Sequence, residues 1–304
     1  MTGIRRLLLA LDLAPDRRGL SAGSRLAADQ ALRLATTCGA EVTLLHSTAA
    51  DEVWDPAEGY VVSPDGLEPP GRDALEVALE EFRTAGVRAD LTLSEEPSWL
   101  AIVHRVLREG SDLVVSGKRN EAESHGPRVG SVAMKLLRKC PCAVWVARPG
   151  GAPAPRRVLA ASDLSPVGER VIELATFVAA EFRASLHVVH AFQLPFAVQW
   201  EGDAAQADFE HREREVRRER LEAQVAQTKF PGEVHYYVGL TSPSRAILSC
   251  DERLDPDLVV LGTISRAGIA GLLVGNTAER LLGRLDCSLL TVKPDDFVCP
   301  VAAA

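Results

Sequence analysis

Short apolar segments alternate with longer segments of helical periodicity along the chain, and the alternation is clearest in the second half. Apolar runs of four to eight residues bounded by turn residues predict buried strands, and apolar residues spaced three or four apart predict helices. The pattern in the second half predicts five strands, at 157–161, 185–191, 233–238, 258–262 and 288–293. It also predicts four helices, at about 166–182, 205–229, 242–253 and 276–285.

An alternation of strands and helices predicts a parallel sheet covered by helices on both faces, because parallel strands need crossover connections. The near-continuous apolar strands "LVVSG" (113–117) and "LVVLG" (258–262) are typical of strands buried on both faces. Ligands in such folds bind beyond the carboxyl ends of the strands, where the strand order reverses. The loops after the first and fourth strands of each half are therefore the candidate sites.

The chain repeats itself once. "SDLVVSGKRN" (111–120) matches "PDLVVLGTIS" (256–265) at an offset of 145 residues, and Gly130 falls on Gly275 at the same offset. Near the start of each half the offset changes by a few residues, as loop insertions would produce, and "LLLALDL" (7–13) matches "VLAASDL" (158–164). The proline- and glycine-rich "ARPGGAPAPRR" (147–157) predicts a linker. We therefore predict two related domains, at 1–149 and 156–304.

Composition and net charge limit the classes of partner that the chain is expected to bind. With 304 residues, 46% hydrophobic and 25% charged, the chain is typical of a folded protein of two domains. A net charge of −8 offers no basic face to a nucleic acid. No apolar run reaches the roughly 18–20 residues that span a bilayer, and "MTGIRRLLLALDLAPD" meets an acid too early for a signal peptide. We expect a cytoplasmic protein without a nucleic-acid or membrane partner.

The loop after the fourth strand has the same spacing in both halves. It runs Gly117-x-x-Asn120, nine residues, Gly130-Ser131 in the first half, and Gly262-x-x-Ser265, nine residues, Gly275-Asn276-Thr277 in the second. A glycine at the strand end lets backbone approach a ligand, and a glycine opening a helix directs unpaired N–H groups toward an anion. The loop thus suits the phosphates of a nucleotide. The alternative is structural, because Asn, Ser and Thr are also common helix caps and glycine is common in loops.

Standard phosphate and dinucleotide motifs are absent. Neither loop has the lysine and glycine spacing of a Walker motif, and no G-x-G-x-x-G follows the first strand of either half. Four features together resemble the universal stress protein family: the strand ending in Asp12 or Asp163, the "DLVVxG" segment, the glycine loop, and the last strand after a cysteine. The resemblance covers nearly the entire chain, as a tandem two-domain member.

This resemblance implies an α/β fold of two tandem doubly wound domains, each a five-stranded mainly parallel sheet with helices on both faces. Such domains are Rossmann-like and similar to adenine-nucleotide α-hydrolases. The resemblance also implies ATP or a related adenine nucleotide as ligand, with Mg²⁺ as an accompanying ion. In nucleotide-binding members, the aspartate lies near the adenine and the glycine loop wraps the phosphates and ribose. The implied site residues are Asp12, Gly117, Asn120, Gly130 and Ser131 in one half, and Asp163, Gly262, Ser265, Gly275, Asn276 and Thr277 in the other.

The chain departs from the family pattern in both halves. Asn120 and Ser265 stand where the family has a second glycine, and Asn276 stands where it has serine or threonine. The family includes members that do not bind ATP. Its domains pair through their last strands, here "CAVWVARP" and "CSLLTVKP", so the resemblance implies an intrachain pseudo-dimer, and we expect two chains to form a homodimer.

The predicted function is a stress-response regulatory module that binds a nucleotide and has no catalytic activity or only very slow turnover. No G-x-S-x-G elbow occurs, paired carboxylates at useful spacing are absent outside solvated helices, and the six cysteines lack zinc-site spacing. The alternatives are a nucleotide-free scaffold and a hydrolase of the adenine-nucleotide α-hydrolase type.

Two other patterns concern single elements. His46 and His190 end the second strand of each half, and we predict that each is hydrogen-bonded near a loop rather than placed against a ligand. "FEHREREVRRERLEAQ" (209–224) predicts an exposed helix with ion pairs between successive turns, with a partner surface as the alternative.

Overall fold

The computed structural model describes residues 3–49, 52–55, 59–62, 71–118, 131–195, 202–263, 278, 281 and 283–302. The chain divides into two compact units, which we call the N-terminal unit (Ile4–Pro153 with Val298–Ala304) and the C-terminal unit (Ala154–Phe297 with Met1–Gly3). Within the described residues, no helix is both long enough and apolar enough to cross a bilayer.

The N-terminal unit contains a five-stranded parallel sheet in the order β7-β6-β1-β2-β5. Its strands are β1 (Arg6–Ala10), β2 (Glu41–Ser47), β5 (Ala89–Ser94), β6 (Leu113–Gly117) and β7 (Ala143–Ala147). A separate antiparallel hairpin is formed by β3 (Glu52–Asp55) and β4 (Gly59–Val62). The helices are α1 (Ala22–Cys38), α2 (Gly71–Thr84), α3 (Ser98–Glu109) and α4 (Ser131–Lys139).

The C-terminal unit contains a parallel sheet of the same order, β12-β11-β8-β9-β10. Its strands are β8 (Arg157–Ala161), β9 (Ser185–Phe192), β10 (Val234–Leu240), β11 (Leu258–Gly262) and β12 (Ser288–Val292). Its helices are α5 (Pro166–Phe182), α6 (Asp203–Thr228) and α7 (Pro243–Leu254), and Ala278 and Leu281 are also helical. The predicted α/β fold of two doubly wound halves is confirmed.

The repeated aspartate of "DLVV" has the same structural task in both units. The carboxylate of Asp112 accepts the backbone N–H groups of Arg5 and Arg6 at 2.8 and 2.9 Å. In the C-terminal unit the carboxylate of Asp257 accepts those of Arg156 and Arg157 at the same two distances. Each aspartate therefore fixes the start of the first strand of its unit against the start of the fourth.

The predicted exposed helix is confirmed as the middle of α6. Its arginines pair with glutamates one turn away, as in the 2.9 Å contact between Arg218 Nε and Glu222 Oε1. Similar pairs join Arg214 to Glu210 and Arg217 to Glu213. Its buried residues lie in its C-terminal part and are Leu221, Gln224 and Val225.

Candidate functional site

The strand order of each unit reverses between its first and fourth strands. In the C-terminal unit, β9 and β10 lie on one side of β8, and β11 and β12 lie on the other. The loops that leave the carboxyl ends of β8 and β11 therefore diverge and leave a crevice, which is the usual ligand position in this class of sheet. Asp163 follows β8 and Gly262 ends β11, so two of the predicted site residues meet at this crevice.

A cavity of about 120 Å³ lies in this crevice. The loop after β8, the first turns of α5 and α7, and the ends of β9 and β11 form its walls. The lining residues are Ala161, Ser162, Asp163, Val167, Gly168, Val171, Val189, Ala191, Pro243, Ala246, Ile247, Leu261 and Gly262. Mostly apolar walls with a few polar groups are typical of small-molecule sites. The volume is below the roughly 300–1,000 Å³ of a typical ligand pocket, so the cavity suits one ring system of a ligand rather than a whole nucleotide.

Asp163 is held at the mouth of the cavity by the start of α5. One oxygen of its carboxylate accepts the backbone N–H of Ser165 at 3.0 Å and also the Ser165 hydroxyl, while the side chain stays exposed. Ser165 is the N-cap of α5, and its hydroxyl accepts the backbone N–H of Gly168 at 3.3 Å. One carboxylate oxygen is therefore held by the start of α5, and the other makes no hydrogen bond with a described residue.

Gly168 permits this arrangement. A Cβ at position 168 would lie 2.6 Å from Ser162 Oγ and 2.8 Å from Asp163 Oδ1, closer than a real Cβ approaches any atom. A side chain there would push α5 away from the loop after β8. Sequence reasoning missed this position, although a glycine three residues after a serine at a predicted helix start was a visible signal.

Two helix N-termini meet at the cavity, those of α5 and α7. Ser165 caps α5, whereas Ser242, which precedes α7, makes no side-chain cap hydrogen bond. The first-turn N–H groups of α7 therefore lack a side-chain partner from their own cap. Helix N-termini carry a partial positive charge that favours anions.

Gly262 is the last residue of β11 and lies against the side chain of Val167. A Cβ at this position would lie 2.7 Å from Cγ1 of Val167, and Val167 itself lines the cavity. The glycine therefore leaves room for Val167 and for the cavity wall beside it.

The equivalent glycine of the N-terminal unit faces backbone instead. A Cβ at Gly117 would lie 2.3 Å from the carbonyl carbon of Gly23 and 2.5 Å from the backbone nitrogen of Ser24. Conversely, a Cβ at Gly23 would lie 2.3 Å from the carbonyl oxygen of Lys118. The first turn of α1 thus crosses the end of β6 with its own backbone. The close approach that Gly117 permits is made by a helix of the same unit.

Asp12 is tied to that same first turn. Its backbone N–H donates to Ser24 Oγ at 2.8 Å, and its carbonyl accepts the N–H of Ser21 at 2.9 Å. Asp12 and Gly117 therefore both lie against the first turn of α1. Nearby, Ser116 is buried, and its hydroxyl has no hydrogen-bond partner among the described residues, whereas Leu261 takes the equivalent place in the C-terminal unit.

The remaining predicted site residues lie in the glycine loops. Ser131 is the first residue of α4. Asn120, Gly130, Ser265, Gly275, Asn276 and Thr277 lie outside the described residues.

The two histidines are confirmed as hydrogen-bonded to neighbouring loops. Nδ1 of His46 lies 2.9 Å from the carbonyl oxygen of Leu11, and Nδ1 of His190 lies 2.8 Å from that of Ser162. Burial lowers the pKa of His190, and the positive charges of Arg217 and Arg220 act in the same direction. Each ring therefore donates from Nδ1 and anchors the loop after the first strand of its unit.

The described residues provide few ligands for a metal ion that binds without a nucleotide. None of them form a group of three or more His, Cys, Asp or Glu side chains that could hold one. Asp163 supplies a single carboxylate at the cavity. Because Mg²⁺ prefers six oxygen ligands, an ion here would take most of them from the phosphates of a bound nucleotide and from water.

Comparison with known proteins gives consistent matches. The model of the universal stress protein family matches residues 3–148 and 155–293. The universal stress protein E homolog of Haemophilus influenzae is 30% identical over 205 residues, which cover 64% of this chain and 66% of that protein. The chain thus spans slightly less than two thirds of that relative.

Solved structures match the fold. A Pseudomonas aeruginosa protein of unknown function aligns with a TM-score of 0.71 and 22% identity, covering 97% of this chain and 94% of that one. A universal stress protein family protein from Arabidopsis thaliana, solved with AMP bound, aligns with a TM-score of 0.36 and 17% identity, over 48% of this chain and 92% of its own. The AMP is a property of the Arabidopsis protein.

Proposed function

The chain belongs to the universal stress protein family, and on this premise we propose that its C-terminal unit binds an adenine nucleotide in a regulatory role. The main observation in support of this proposal is the apolar cavity between β8 and β11, which has Asp163 at its mouth and two helix N-termini beside it. The base occupies the cavity, and the second carboxylate oxygen of Asp163, which has no partner among the described residues, accepts a hydrogen bond from the ligand. The phosphates lie on the side of the glycine loop after β11, where Gly262, Ser265, Gly275, Asn276 and Thr277 are the proposed contacts.

The two units differ in what surrounds the end of the fourth strand. Backbone of α1 lies against Gly117, whereas the side chain of Val167 lies against Gly262, and a valine can rotate while a helix turn cannot. The N-terminal site, with Asp12, Asn120, Gly130 and Ser131, is therefore the weaker candidate for a nucleotide.

The proposed role is binding without rapid turnover. Asp163 is the one titratable side chain among the described residues that line the cavity. A hydrolase would need a second group to activate water or protonate the leaving group. The small volume of the cavity favours, as a second candidate, a scaffold that works through its surfaces without a nucleotide.

A titration with a fluorescent ATP analogue on the full chain tests the proposal. Ala191→Leu fills the cavity from the end of β9, and Ser47→Leu makes the equivalent change at the end of β2. We expect saturable binding in the wild type and in Ser47→Leu, and none in Ala191→Leu. Binding that survives Ala191→Leu but not Ser47→Leu would move the site to the N-terminal unit. No binding by the wild type would favour the scaffold, and release of ADP over minutes would favour the hydrolase.

Three further expectations accompany this proposal. Magnesium is expected to strengthen ATP binding but not binding of adenosine, because its ligands come from the phosphates. A homodimer of the chain is expected and is measured by sedimentation velocity. A cytoplasmic location remains a prediction that cell fractionation would test.

A further inference from the structure

The outer side of β10 has no partner strand in the part of the chain that the structure describes. The parallel register with β9 decides which backbone groups face outward. Leu186 N–H donates to the carbonyl of Glu233, and Thr241 N–H donates to that of Phe192, so the odd-numbered residues of this segment face β9. The N–H and C=O groups of Val234, Tyr236, Val238 and Leu240 therefore point away from the sheet.

An open groove follows this edge. Its volume is about 960 Å³, and its walls are α6 on one side and α7 on the other, with β10 as the floor. Tyr236 and Tyr237 lie on the floor, where they offer aromatic surface on both sides of the strand. A groove of this size along a free strand edge accommodates a segment of extended chain.

The walls of the groove are basic, although the whole chain carries a net charge of −8. Arg214 and Arg218 come from α6, and Arg245 and Arg253 come from α7. Glu215 is the one acidic side chain among the described lining residues.

The four arginines differ in their present partners. Arg214 and Arg218 pair with glutamates of their own helix, at Glu210 and Glu222. Arg245 and Arg253 make no ion pair with any described residue, and both are exposed. The α7 wall therefore presents two arginines that form no ion pair with a described residue, beside an edge strand whose outward backbone groups have no partner strand.

Arg214 contacts the free edge of β10 in the absence of a partner. Its guanidinium donates a hydrogen bond to the carbonyl of Val238, one of the outward-facing groups. The same carbonyl would accept an N–H from an added strand. Charged side chains of this kind protect sheet edges from unspecific pairing, and the contact can be exchanged for a better one.

We propose that this groove binds an extended acidic segment of a partner protein, which adds as a sixth strand beside β10. Alternating N–H and C=O groups at strand spacing match another β-strand, and the arginine-lined walls match carboxylate side chains. The surface is distinct from the nucleotide cavity, although Val189 and Ala246 line both. The inference does not depend on nucleotide binding.

The probe is a fluorescein-labelled octapeptide of alternating Glu and Val, titrated with the full chain without nucleotide and followed by fluorescence anisotropy. We expect saturable binding that weakens as salt rises, because exposed charges are screened beyond about 10 Å at 0.1 M salt. An octapeptide of alternating Lys and Val should not bind. The Glu-Val peptide methylated on alternate backbone nitrogens should bind less tightly, because it cannot complete the ladder.

Two variants separate the backbone from the charges. Val238→Pro removes an outward N–H and leaves the hydrogen bonds to β9 in place, so the strand is retained and the added strand is obstructed. Arg245→Glu with Arg253→Glu reverses the α7 wall and should weaken binding about tenfold or more. Arg33→Glu, at an exposed position of α1 in the other unit, is the matched control and should bind as the wild type does.

Specific outcomes would overturn the proposal. One is equal binding of the Glu-Val and Lys-Val peptides, and another is unchanged binding in the Arg245→Glu, Arg253→Glu variant, which stays informative if Val238→Pro fails to fold. A third is tighter binding of single-stranded oligothymidylate that displaces the peptide, since arginines and tyrosines also suit nucleic acid. Absence of peptide binding to the wild type at any salt concentration would likewise refute it.

Discussion

Alanine at the two equivalent glycines should have unequal effects on stability. At Gly117, the new methyl group would lie 2.3 to 2.6 Å from three backbone atoms of Gly23 and Ser24. Backbone in the first turn of a packed helix cannot move aside without shifting α1 from the sheet. At Gly262, the nearest atom is Cγ1 of Val167 at 2.7 Å, and that side chain can rotate into the adjacent cavity.

The expected magnitudes follow from these neighbours. Overpacking a rigid core costs about 1–3 kcal/mol and occasionally more, so we expect Gly117→Ala to destabilise its unit by about 3 kcal/mol. Gly262→Ala should cost about 1 kcal/mol or less, because a side chain gives way. For domains of about 150–250 residues, 3 kcal/mol corresponds to a fall in Tm of about 6–12 °C.

The assay must resolve the two units, because their unfolding need not be one transition. Hydrogen exchange followed by mass spectrometry on peptides from β1 and β6, and separately from β8 and β11, reports each unit. We expect Gly117→Ala to lose protection in β1 and β6, and Gly262→Ala to keep it in β8 and β11 while weakening nucleotide binding. Equal protection in both variants would show that the α1 crossing is not rigid, and the distinction between the units would fail.

Three further predictions concern single side chains of the C-terminal unit. Asp257→Ala removes the acceptor of two backbone N–H groups at the start of β8 and should cost about 2 kcal/mol in urea unfolding, with Asp112→Ala as its counterpart; a loss under 0.5 kcal/mol would contradict the capping role. Ser165→Ala removes the α5 cap and should cost about 1 kcal/mol by thermal melting, and an unchanged Tm would refute it. Since the pKa of His190 is lowered on folding, the folded state binds fewer protons than the unfolded chain below about pH 6.5, so stability is complete above that pH and falls below it. His190→Asn keeps a donor for the Ser162 carbonyl and should lose less stability than the wild type between pH 7.5 and 5; an equal loss would assign the effect to other groups.

The secondary structure was predictable where local signals agreed. The pattern placed a helix at 166–182 and a strand at 258–262, and α5 and β11 have these bounds. Serine followed by proline marks the start of α5, because one caps the helix and the other fits its first turn. The strand predicted at 233–238 extends to Leu240, because Gly239 pairs with Ala191 and does not end the strand. A glycine in a sequence predicts a break, but an available partner strand decides the outcome.

The candidate site was less predictable than the fold. Asp163 and Gly262 were identified because the repeat places both at carboxyl ends of strands, where parallel topology brings them together. The crossing of Gly23 and Gly117 joins residues far apart in the chain, and no periodicity reports such a contact. The basic groove likewise depends on Arg214 and Arg253 from separate helices meeting across an edge strand. Sequence spacing gives the elements and their ends, whereas distances between non-neighbouring elements come from packing.

Two pairs of equivalent positions differ at the crevices of the two units. Val167 replaces Gly23 at the first turn of the helix after the first strand, and Leu261 replaces Ser116 near the end of the fourth. In the N-terminal unit, Gly23 and Gly117 let the backbones of the helix and the strand approach closely at that side of the crevice. In the C-terminal unit, a valine holds the helix at side-chain distance, and a leucine makes the wall apolar. The proposed nucleotide site and the basic groove both lie in the C-terminal unit, and Val189 and Ala246 line both of them. A titration of the peptide with and without nucleotide would therefore show whether binding at one site changes the affinity of the other.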